Sequence, residues 1–180
     1  MMKKLLSMFL AGFMALSLTA CGGGGSSLTL TQVCDDDETI TATVNVGYGG
    51  STVLDDSTLF GEDEAQLLNE EKNFSMEFYM YFDDTYEDYK TDAEGCEGYQ
   101  EVKYSGYEGY MYLYDEFEYE ICLKLADEND CQVILFAYVA PESQLIDTET
   151  TDIEQIFNQK EVQDILNSIK YKGTKKVEVE

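Results

Sequence analysis

The segment from Phe74 to Phe82 constrains the fold of this 180-residue chain more than any other stretch. Large apolar side chains occupy every second position, and polar or tyrosine side chains lie between them. The apolar set is Phe74, Met76, Phe78, Met80 and Phe82. Successive side chains of a β-strand point to opposite faces, so this spacing predicts a strand with one buried face. Each buried side chain would contribute roughly 1.5–3 kcal/mol before conformational entropy is subtracted.

Similar patterns along the chain predict a sheet of several strands. Cys131 to Val139 is apolar at nearly every position after Gln132, which predicts a central strand covered on both faces. Asp127 to Asp130 before it predicts a hairpin loop, and Ser105-Gly106 predicts a bend. The remaining strands are expected at 28–33, 39–46, 99–104, 107–114 and 117–125. Residues 51–63 read as a loop with a short extended piece at 52–54, and the pattern of 65–70 fits a strand without fixing its type.

Two helices are predicted. Asp83-Asp84-Thr85 can cap a short helix with Tyr86, Tyr89 and Ala93 on one side, ending at Gly95. The second is a C-terminal amphipathic helix that begins near Asn158. Its apolar face is Val162, Ile165, Leu166 and Ile169.

Residues typical of helix ends flank this second helix. Thr151 with Glu154 and Asn158 with Glu161 fit capping boxes, and Lys170, Lys172 and Gly173 suit a helix C-terminus. Residues 174–180 are expected to be a loose tail. The expected fold class is α+β, an antiparallel β-sheet flanked by a short helix and a C-terminal amphipathic helix.

The N-terminus has the parts of an export signal. Lys3 and Lys4 precede an apolar run from Leu5 to Leu18, which is shorter than the roughly 20 residues that cross a bilayer. Leu18-Thr19-Ala20-Cys21 resembles the lipobox of bacterial lipoproteins, in which the cysteine is acylated and becomes the new N-terminus. The alternative is an ordinary secretory peptide or an uncleaved anchor.

This resemblance divides the chain into four parts. They are a signal peptide (1–20), a lipidated cysteine with a Gly/Ser tether (21–27), one α+β domain (28–173) and the tail (174–180). It implies a lipid-anchored protein on the outer face of the cytoplasmic membrane, held through Cys21 by two or more acyl chains, such as palmitate.

Charge and missing residue types exclude several functions. Removal of residues 1–20 leaves nine lysines against 37 acids, a formal charge of −28. Such a chain cannot present the basic face that nucleic acids require; it suits neutral glycans, cations or basic peptides, or the acids simply maintain solubility. The chain has no histidine and no arginine, so it lacks Ser-His pairs, histidine metal sites and arginine clamps. We therefore predict a protein that is not an enzyme and has no cofactor or metal.

The order of elements resembles the PsbP-like domain of small lipoproteins from Gram-positive anaerobes. The likeness covers about 64–172 and rests on three segments, 73–89, 106–110 and 161–169; residues 28–63 do not follow the pattern. It implies an antiparallel sheet flanked by helices, with a non-catalytic accessory or binding role and no catalytic residues to transfer.

Four cysteines remain besides Cys21: Cys34, Cys96, Cys122 and Cys131. An even number outside the cytoplasm suggests disulfides, and four cysteines allow three pairings. A tight loop at Asp127–Asp130 would place Cys122 opposite about residue 135, which disfavours a Cys122–Cys131 bond. Reduced, partly buried thiols are the alternative.

Tyrosines supply the candidate ligand site. Tyr110, Tyr112 and Tyr114 share one face of a predicted strand and could stack on sugar rings or peptide aromatics, or could serve as half-buried strand formers. Acidic runs at 35–38, 62–64, 83–84 and 87–88 could bind calcium, although none has the spacing of a calcium loop, and a solvated face is the alternative.

We therefore expect a membrane-anchored, non-enzymatic binding or accessory domain with a glycan or peptide ligand. A carboxylate-dependent hydrolase of cell-surface glycan would need two acids in one cleft. A structural partner in a lipoprotein complex would show a large exposed apolar patch.

Overall fold

The computed structural model describes residues 25–34, 40–55, 61–83, 85–128, 131–142 and 152–176. Within these ranges the chain forms ten strands and three helices. In chain order they are β1 (Ser26–Val33), β2 (Ile40–Tyr48), β3 (Val53–Leu54), β4 (Glu64–Asn69), β5 (Phe74–Asp83), α1 (Tyr86–Ala93), β6 (Gln100–Tyr104), β7 (Tyr107–Asp115), β8 (Glu118–Glu128), β9 (Cys131–Ala140), α2 (Ile153–Phe157), α3 (Lys160–Leu166) and β10 (Lys170–Lys176).

Seven strands form the larger sheet, in the order β3-β4-β5-β9-β8-β7-β6 with all pairs antiparallel. β9 lies at its centre, and the run from Val133 to Ala137 is buried at every position. The predicted central strand is therefore confirmed. The bend between β6 and β7 is also confirmed, because Ser105 and Gly106 both have positive φ angles, as a two-residue hairpin turn requires.

A smaller sheet of order β1-β2-β10 packs against the large one. The alternating apolar residues of β5 are all buried, and they belong to the same core as Leu28, Leu30, Val44 and Val46 of the small sheet. The segment 28–63 is thus divided between the sheets: β1 and β2 build the small sheet, and β3 forms one edge of the large one. The result is an α+β protein, a β-rich sandwich of mainly antiparallel strands with a few short helices.

The helix α1 lies on the opposite face of the large sheet. Tyr86 and Ala93 of α1 are buried in a second apolar cluster with Ile134 and Phe136 of β9. The predicted sharing of one side by Tyr86, Tyr89 and Ala93 is confirmed. Thr85 is the N-cap residue but makes no side-chain capping hydrogen bond.

The C-terminal region differs from its prediction. Two short helices occupy 153–157 and 160–166, and the next element is a strand rather than further helix. Asp152, not Thr151, caps α2 by accepting a hydrogen bond from the Gln155 amide, and Asn158 is the C-cap residue of that helix. Gln159 is the N-cap residue of α3, so neither predicted capping box has the expected position.

The strand β10 corrects both the helix end and the tail. Lys170 to Lys176 pair with β2, because the edge of that strand offers backbone partners that outweigh the local helix signals. Gly173 lies at a register shift within β10 and is not a helix stop. Residues 174–176, predicted to be loose, are part of this strand.

The N-terminal boundary also moves. Ser26 and Ser27, predicted to belong to the tether, pair with Tyr48 and Gly47 in the small sheet. The predictions for the signal peptide and Cys21 lie outside the described residues, as does the acidic run 35–38. No helix in the described ranges is long and apolar enough to span a membrane.

Candidate functional site

The outer face of the large sheet carries a row of polar residues across four adjacent strands. Glu77 of β5 lies opposite Tyr138 of β9, Tyr138 lies opposite Glu120 of β8, and Glu120 lies opposite Tyr112 of β7. Side chains at paired positions share one face of a sheet, so these four lie side by side. Acids and tyrosines therefore alternate across the centre of the molecule.

Two adjoining cavities lie over this row, and we call them together the tyrosine groove. The inner cavity has a volume of about 290 Å³ and lies between the sheet and α1. The outer cavity has a volume of about 270 Å³, and both share Tyr81 and Tyr138 as lining residues. The inner cavity is lined by Tyr81, Tyr89, Asp92, Ala93, Cys96, Tyr110, Tyr112, Glu120, Phe136 and Tyr138, and the outer one by Glu77, Tyr79, Tyr81, Tyr114, Glu118 and Tyr138.

The predicted tyrosine row proves to be graded in exposure. Tyr110 is buried at 1% exposure, Tyr112 is half-buried, and Tyr114 is 57% exposed. Tyr114 lies at a register shift between β7 and β8, and such a bulge redirects a side chain away from the regular pleat. Of the two alternatives, Tyr112 fits a half-buried strand former and Tyr114 is exposed, while Tyr110 is buried; all three side chains line the groove.

Aromatic contacts hold the groove walls in place. The Tyr138 ring meets Tyr79 and Tyr114 edge to face, with centroids 5.7 and 5.8 Å apart. The Phe136 ring meets Tyr81 and Tyr89 in the same manner at 5.5 and 5.2 Å. Such pairs prefer defined relative orientations, so the groove is largely preformed.

Glu120 is the buried carboxylate of the groove, with 5% exposure. Burial raises the pKa of the Glu120 carboxyl above its usual range. Hydrogen bonds from Tyr112 and Tyr138 act in the opposite direction, because they favour the ionised form. Burial and the negative charge of Glu120 likewise raise the pKa of both tyrosine hydroxyls. These hydroxyls therefore remain protonated and donate to the carboxylate.

Glu118 and Glu77 supply two more carboxyl groups to the outer cavity. Burial, followed by the negative charges of Asp115, Glu77 and Glu120, raises the pKa of Glu118 to about 7. The Glu77 carboxylate is held by Gln66 Nε2 at 2.9 Å and by the Tyr79 hydroxyl at 3.1 Å. The outer cavity thus holds one oriented carboxylate beside one that titrates near neutrality.

The groove is acidic as well as aromatic. Four carboxyl side chains line it, and no lysine is among its described lining residues. Elsewhere on this face, Lys124 Nζ lies 5.6 Å from the centre of the Tyr86 ring, within the range of a cation–π interaction. The chemistry of the groove therefore suits a cationic group.

Some residues of the tyrosine groove could be predicted from the sequence to share a face. The alternation of 74–82 placed Glu77, Tyr79 and Tyr81 together on the face away from the core. Tyr138 and Glu120 were not singled out, because the pairing of β9 between β5 and β8 is a long-range relationship. The available signal was Tyr138, the one residue with a polar group in the otherwise apolar run 133–139.

Cys34 and Cys131 lie close together, whereas Cys96 and Cys122 lie elsewhere in the fold. Cys34 Sγ and Cys131 Sγ lie 3.0 Å apart, and both residues are buried. Cys122 lies opposite Phe136 in the β8–β9 ladder, close to the predicted position 135, so the argument against a Cys122–Cys131 bond is confirmed. Cys96 is exposed and lines the inner cavity.

The acidic runs do not assemble a metal centre in the part of the chain that the structure describes, where no three Cys, Asp or Glu side chains are grouped to hold an ion. The run 35–38 and Asp84 lie outside that part. Glu87 and Asp88 instead occupy the first turn of α1, where acids favour a helix N-terminus.

Comparison with protein-family models, with curated proteins and with solved structures finds no match for this chain.

Proposed function

We propose that this protein is an extracytoplasmic lipoprotein, anchored through Cys21, whose PsbP-like sandwich binds a peptide with a basic side chain in the tyrosine groove. The observation that carries the proposal is a preformed aromatic cavity with a buried carboxylate at its floor. Two of the four large hydrophobic side chains exposed in the described residues, Tyr81 and Tyr114, line this same groove. The other two, Val33 and Val53, lie outside the lining of the groove, which gives little support to a large apolar contact surface.

The anchor and the groove would lie on different sides of the domain. Five chain steps separate Cys21 from Ser26, the first residue of β1, a reach of at most about 18 Å. This attachment belongs to the small sheet, whereas the groove lies on the face of the large sheet that points away from it. A short attachment would therefore hold the domain near the bilayer and leave the groove accessible.

A lysine side chain fits this groove better than a neutral sugar does. An ammonium group gains from the faces of tyrosine rings and from a nearby carboxylate, and the gain is largest where water is excluded. The ionised form of Glu120 would be favoured by a bound cation, which opposes the effect of burial on its pKa. A neutral sugar could stack on the rings and donate hydroxyl hydrogen bonds to the carboxyl groups, but it would bring no positive charge to balance the acidic lining of the groove.

Calorimetric titration of the full lipidated chain in detergent micelles tests this proposal. The probes are a lysine-containing peptide, the same peptide with norleucine for lysine, and an oligosaccharide of N-acetylglucosamine. We expect the lysine peptide to bind about 10-fold or more tightly than the norleucine peptide, and Glu120→Gln and Tyr138→Ala to remove the difference. Glu108→Gln, an exposed change of the same charge, is the matched control.

Equal binding of the two peptides, or binding of the oligosaccharide alone, would contradict a cationic ligand. The anchor has a separate test. Intact-mass analysis of membrane-extracted protein is expected to show a chain beginning at an acylated Cys21. Retention of residues 1–20 or an unmodified thiol would refute the lipoprotein assignment without affecting the groove.

One observation favours a second candidate, a carboxylate-dependent hydrolase. Glu77 and Glu118 line the same cavity, and the pKa of about 7 for Glu118 suits a general acid. Glycoside hydrolysis needs such a pair, one acid and one base or nucleophile. Hydrolysis of cell-wall glycan by the native chain, lost in both Glu77→Gln and Glu118→Gln, would support this candidate over the binding domain.

A further inference from the structure

We infer that Cys34 and Cys131 form a disulfide that joins the two sheets of the sandwich. Their sulfur atoms lie 3.0 Å apart, which is about 1 Å more than the roughly 2.05 Å of a sulfur–sulfur bond. The two residues are 97 positions apart in the chain and are 1% and 2% exposed. A small rearrangement of side chains would therefore bring the thiols to bonding distance.

Backbone hydrogen bonds fix both ends of this contact. The Cys34 amide donates to the Ile40 carbonyl at 2.8 Å, which closes the connection between β1 and β2. Cys131 is the first residue of β9 and pairs with Glu128 of β8. Cys34 directly follows β1 of the small sheet and Cys131 begins β9 of the large sheet, so their proximity is a property of the sandwich and not of a single loop.

The other cysteines do not offer an equivalent partner. Cys122 belongs to the apolar cluster on the outer face of the large sheet, and Cys131 belongs to the core between the sheets. Cys96 follows α1 at the surface, where its thiol points to the Asp92 carbonyl at 3.8 Å. The geometry thus favours a single bond, between Cys34 and Cys131, and does not join Cys96 to Cys122.

The bond forms by thiol–disulfide exchange with an oxidised small-molecule or protein disulfide. One cysteine thiolate attacks the oxidant to give a mixed disulfide, and the second thiolate displaces the reduced carrier. The two cysteine thiols lose two electrons and two protons in total, and the oxidant disulfide is reduced to two thiols. Since both residues are buried in the folded chain, this exchange takes place during folding, before the sheets close.

A disulfide here would have a structural role. It would close a loop of about 100 residues, and the stabilisation from a cross-link grows with the length of the closed loop. The bond would join β1, the element next to the proposed anchor, to the central strand of the sheet that carries the groove. The inferred disulfide lies in the core between the sheets, so the test of the disulfide does not depend on the proposed ligand.

Peptide mapping can identify the bond without ambiguity, because lysine-specific cleavage places every cysteine of the domain in a different peptide. Cys34 is in the peptide that ends at Lys72, Cys131 is in 125–160, and the other two are in 91–103 and 104–124. The full chain carrying Cys21→Ser, which removes the second thiol of the peptide that ends at Lys72, is refolded with oxidised and reduced glutathione, blocked with an alkylating agent and cleaved. We expect one cross-linked species, the peptide ending at Lys72 joined to 125–160.

Thermal unfolding supplies a second readout. Addition of reductant is expected to lower the Tm of the oxidised wild-type chain by about 10 °C. The Tm of the Cys34→Ala/Cys131→Ala double variant should not respond to reductant, and a Cys96→Ser/Cys122→Ala double variant should respond as the wild type does. A cross-link that involves Cys96 or Cys122, or recovery of four alkylated cysteine peptides with no effect of reductant, would overturn the inference.

Discussion

Glu120 and Tyr138 lie directly opposite each other on β8 and β9, and the Tyr138 hydroxyl donates a hydrogen bond to the Glu120 carboxylate. Tyr112 interacts with the same carboxylate from the neighbouring strand β7. A buried carboxylate needs such partners, since the loss of one leaves it unsatisfied at a cost of several kcal/mol. This arrangement gives the floor of the tyrosine groove a fixed acceptor between aromatic walls.

Because Tyr110 is buried and Tyr114 is exposed, substitution of the first should affect folding stability and substitution of the second should affect ligand binding. Tyr110→Ala removes a buried ring and is expected to lower the free energy of unfolding by about 3–5 kcal/mol. Tyr114→Ala removes an exposed ring and should change it by less than about 0.5 kcal/mol. We expect Tyr114→Ala to weaken binding of the lysine peptide at unchanged Tm. Chemical denaturation together with calorimetric titration measures both quantities, and strong destabilisation by Tyr114→Ala would contradict the position of this side chain.

Glu118 should make the stability of the protein depend on pH. Its folded-state pKa of about 7 exceeds the unfolded value of 4.5, so the folded state binds more protons between these two pH values. The contribution of Glu118 to stability is therefore most favourable below about pH 4.5 and is lost as the pH rises through about 7.

Replacement by glutamine removes this effect. Because Glu118 is only half-buried, solvent reduces its magnitude, and we expect Glu118→Gln to raise the free energy of unfolding at pH 8 by about 1–2 kcal/mol. At pH 4 the variant and the wild type should be equally stable. Denaturant titrations at several pH values measure this, with Glu116→Gln on the exposed turn as the control. A constant difference at all pH values would rule out titration of Glu118 as the cause.

Gly109 permits the close approach of β7 and β8. A Cβ atom at this position would lie 2.0 Å from the Cys122 carbonyl oxygen and 2.8 Å from Leu123 Cδ2. Neither contact is acceptable, and the first involves backbone that cannot move independently. We expect Gly109→Ala to cost at least about 1–3 kcal/mol, a fall in Tm of several degrees. Gly95→Ala, which would meet nothing within 4 Å, is the control for thermal denaturation.

How much of this structure could be predicted from the sequence depends on the range of the deciding interactions. The alternation of 74–82 and the apolar run of 131–139 identified the strands that form the centre of the sheet, because burial alone sets those patterns. The turn at Ser105-Gly106 was predictable for a different reason, because the conformation of a two-residue turn depends on local sequence. The division into two sheets was not predictable, because β10 reaches its partner β2 across most of the length of the chain.

The candidate site shows the same limit. Tyr110, Tyr112 and Tyr114 were recognisable as one face of a strand, yet their different exposures come from α1, which covers one end, and from the bulge at the other. Glu120 could not be distinguished from 36 other acids, since only the pairing of β8 with β9 and β7 encloses it. The proximity of Cys34 and Cys131 likewise depends on how the two sheets pack.

The strand β10 replaces the helix end and loose tail that the sequence predicts, and truncation of the chain tests this difference directly. A chain that stops at Ile169 loses the ladder from Lys170 to Lys176 and the hydrogen bond of 2.7 Å between Thr174 Oγ1 and Glu128 Oε2. It also exposes one edge of β2, which invites pairing with another chain. We expect this truncation to lower the Tm strongly and to promote association, as measured by thermal denaturation and light scattering.

Truncation after Lys176 is the matched control, because it removes residues 177–180 and keeps the whole of β10. If Lys170 to Gly173 instead ended a helix and the residues beyond were a loose tail, a third truncation after Gly173 would be as stable as the control. The ladder predicts otherwise, since Thr174, Lys175 and Lys176 pair with Ala42, Thr41 and Ile40. Removal of those three residues should therefore lower the Tm by a measurable part of the full effect.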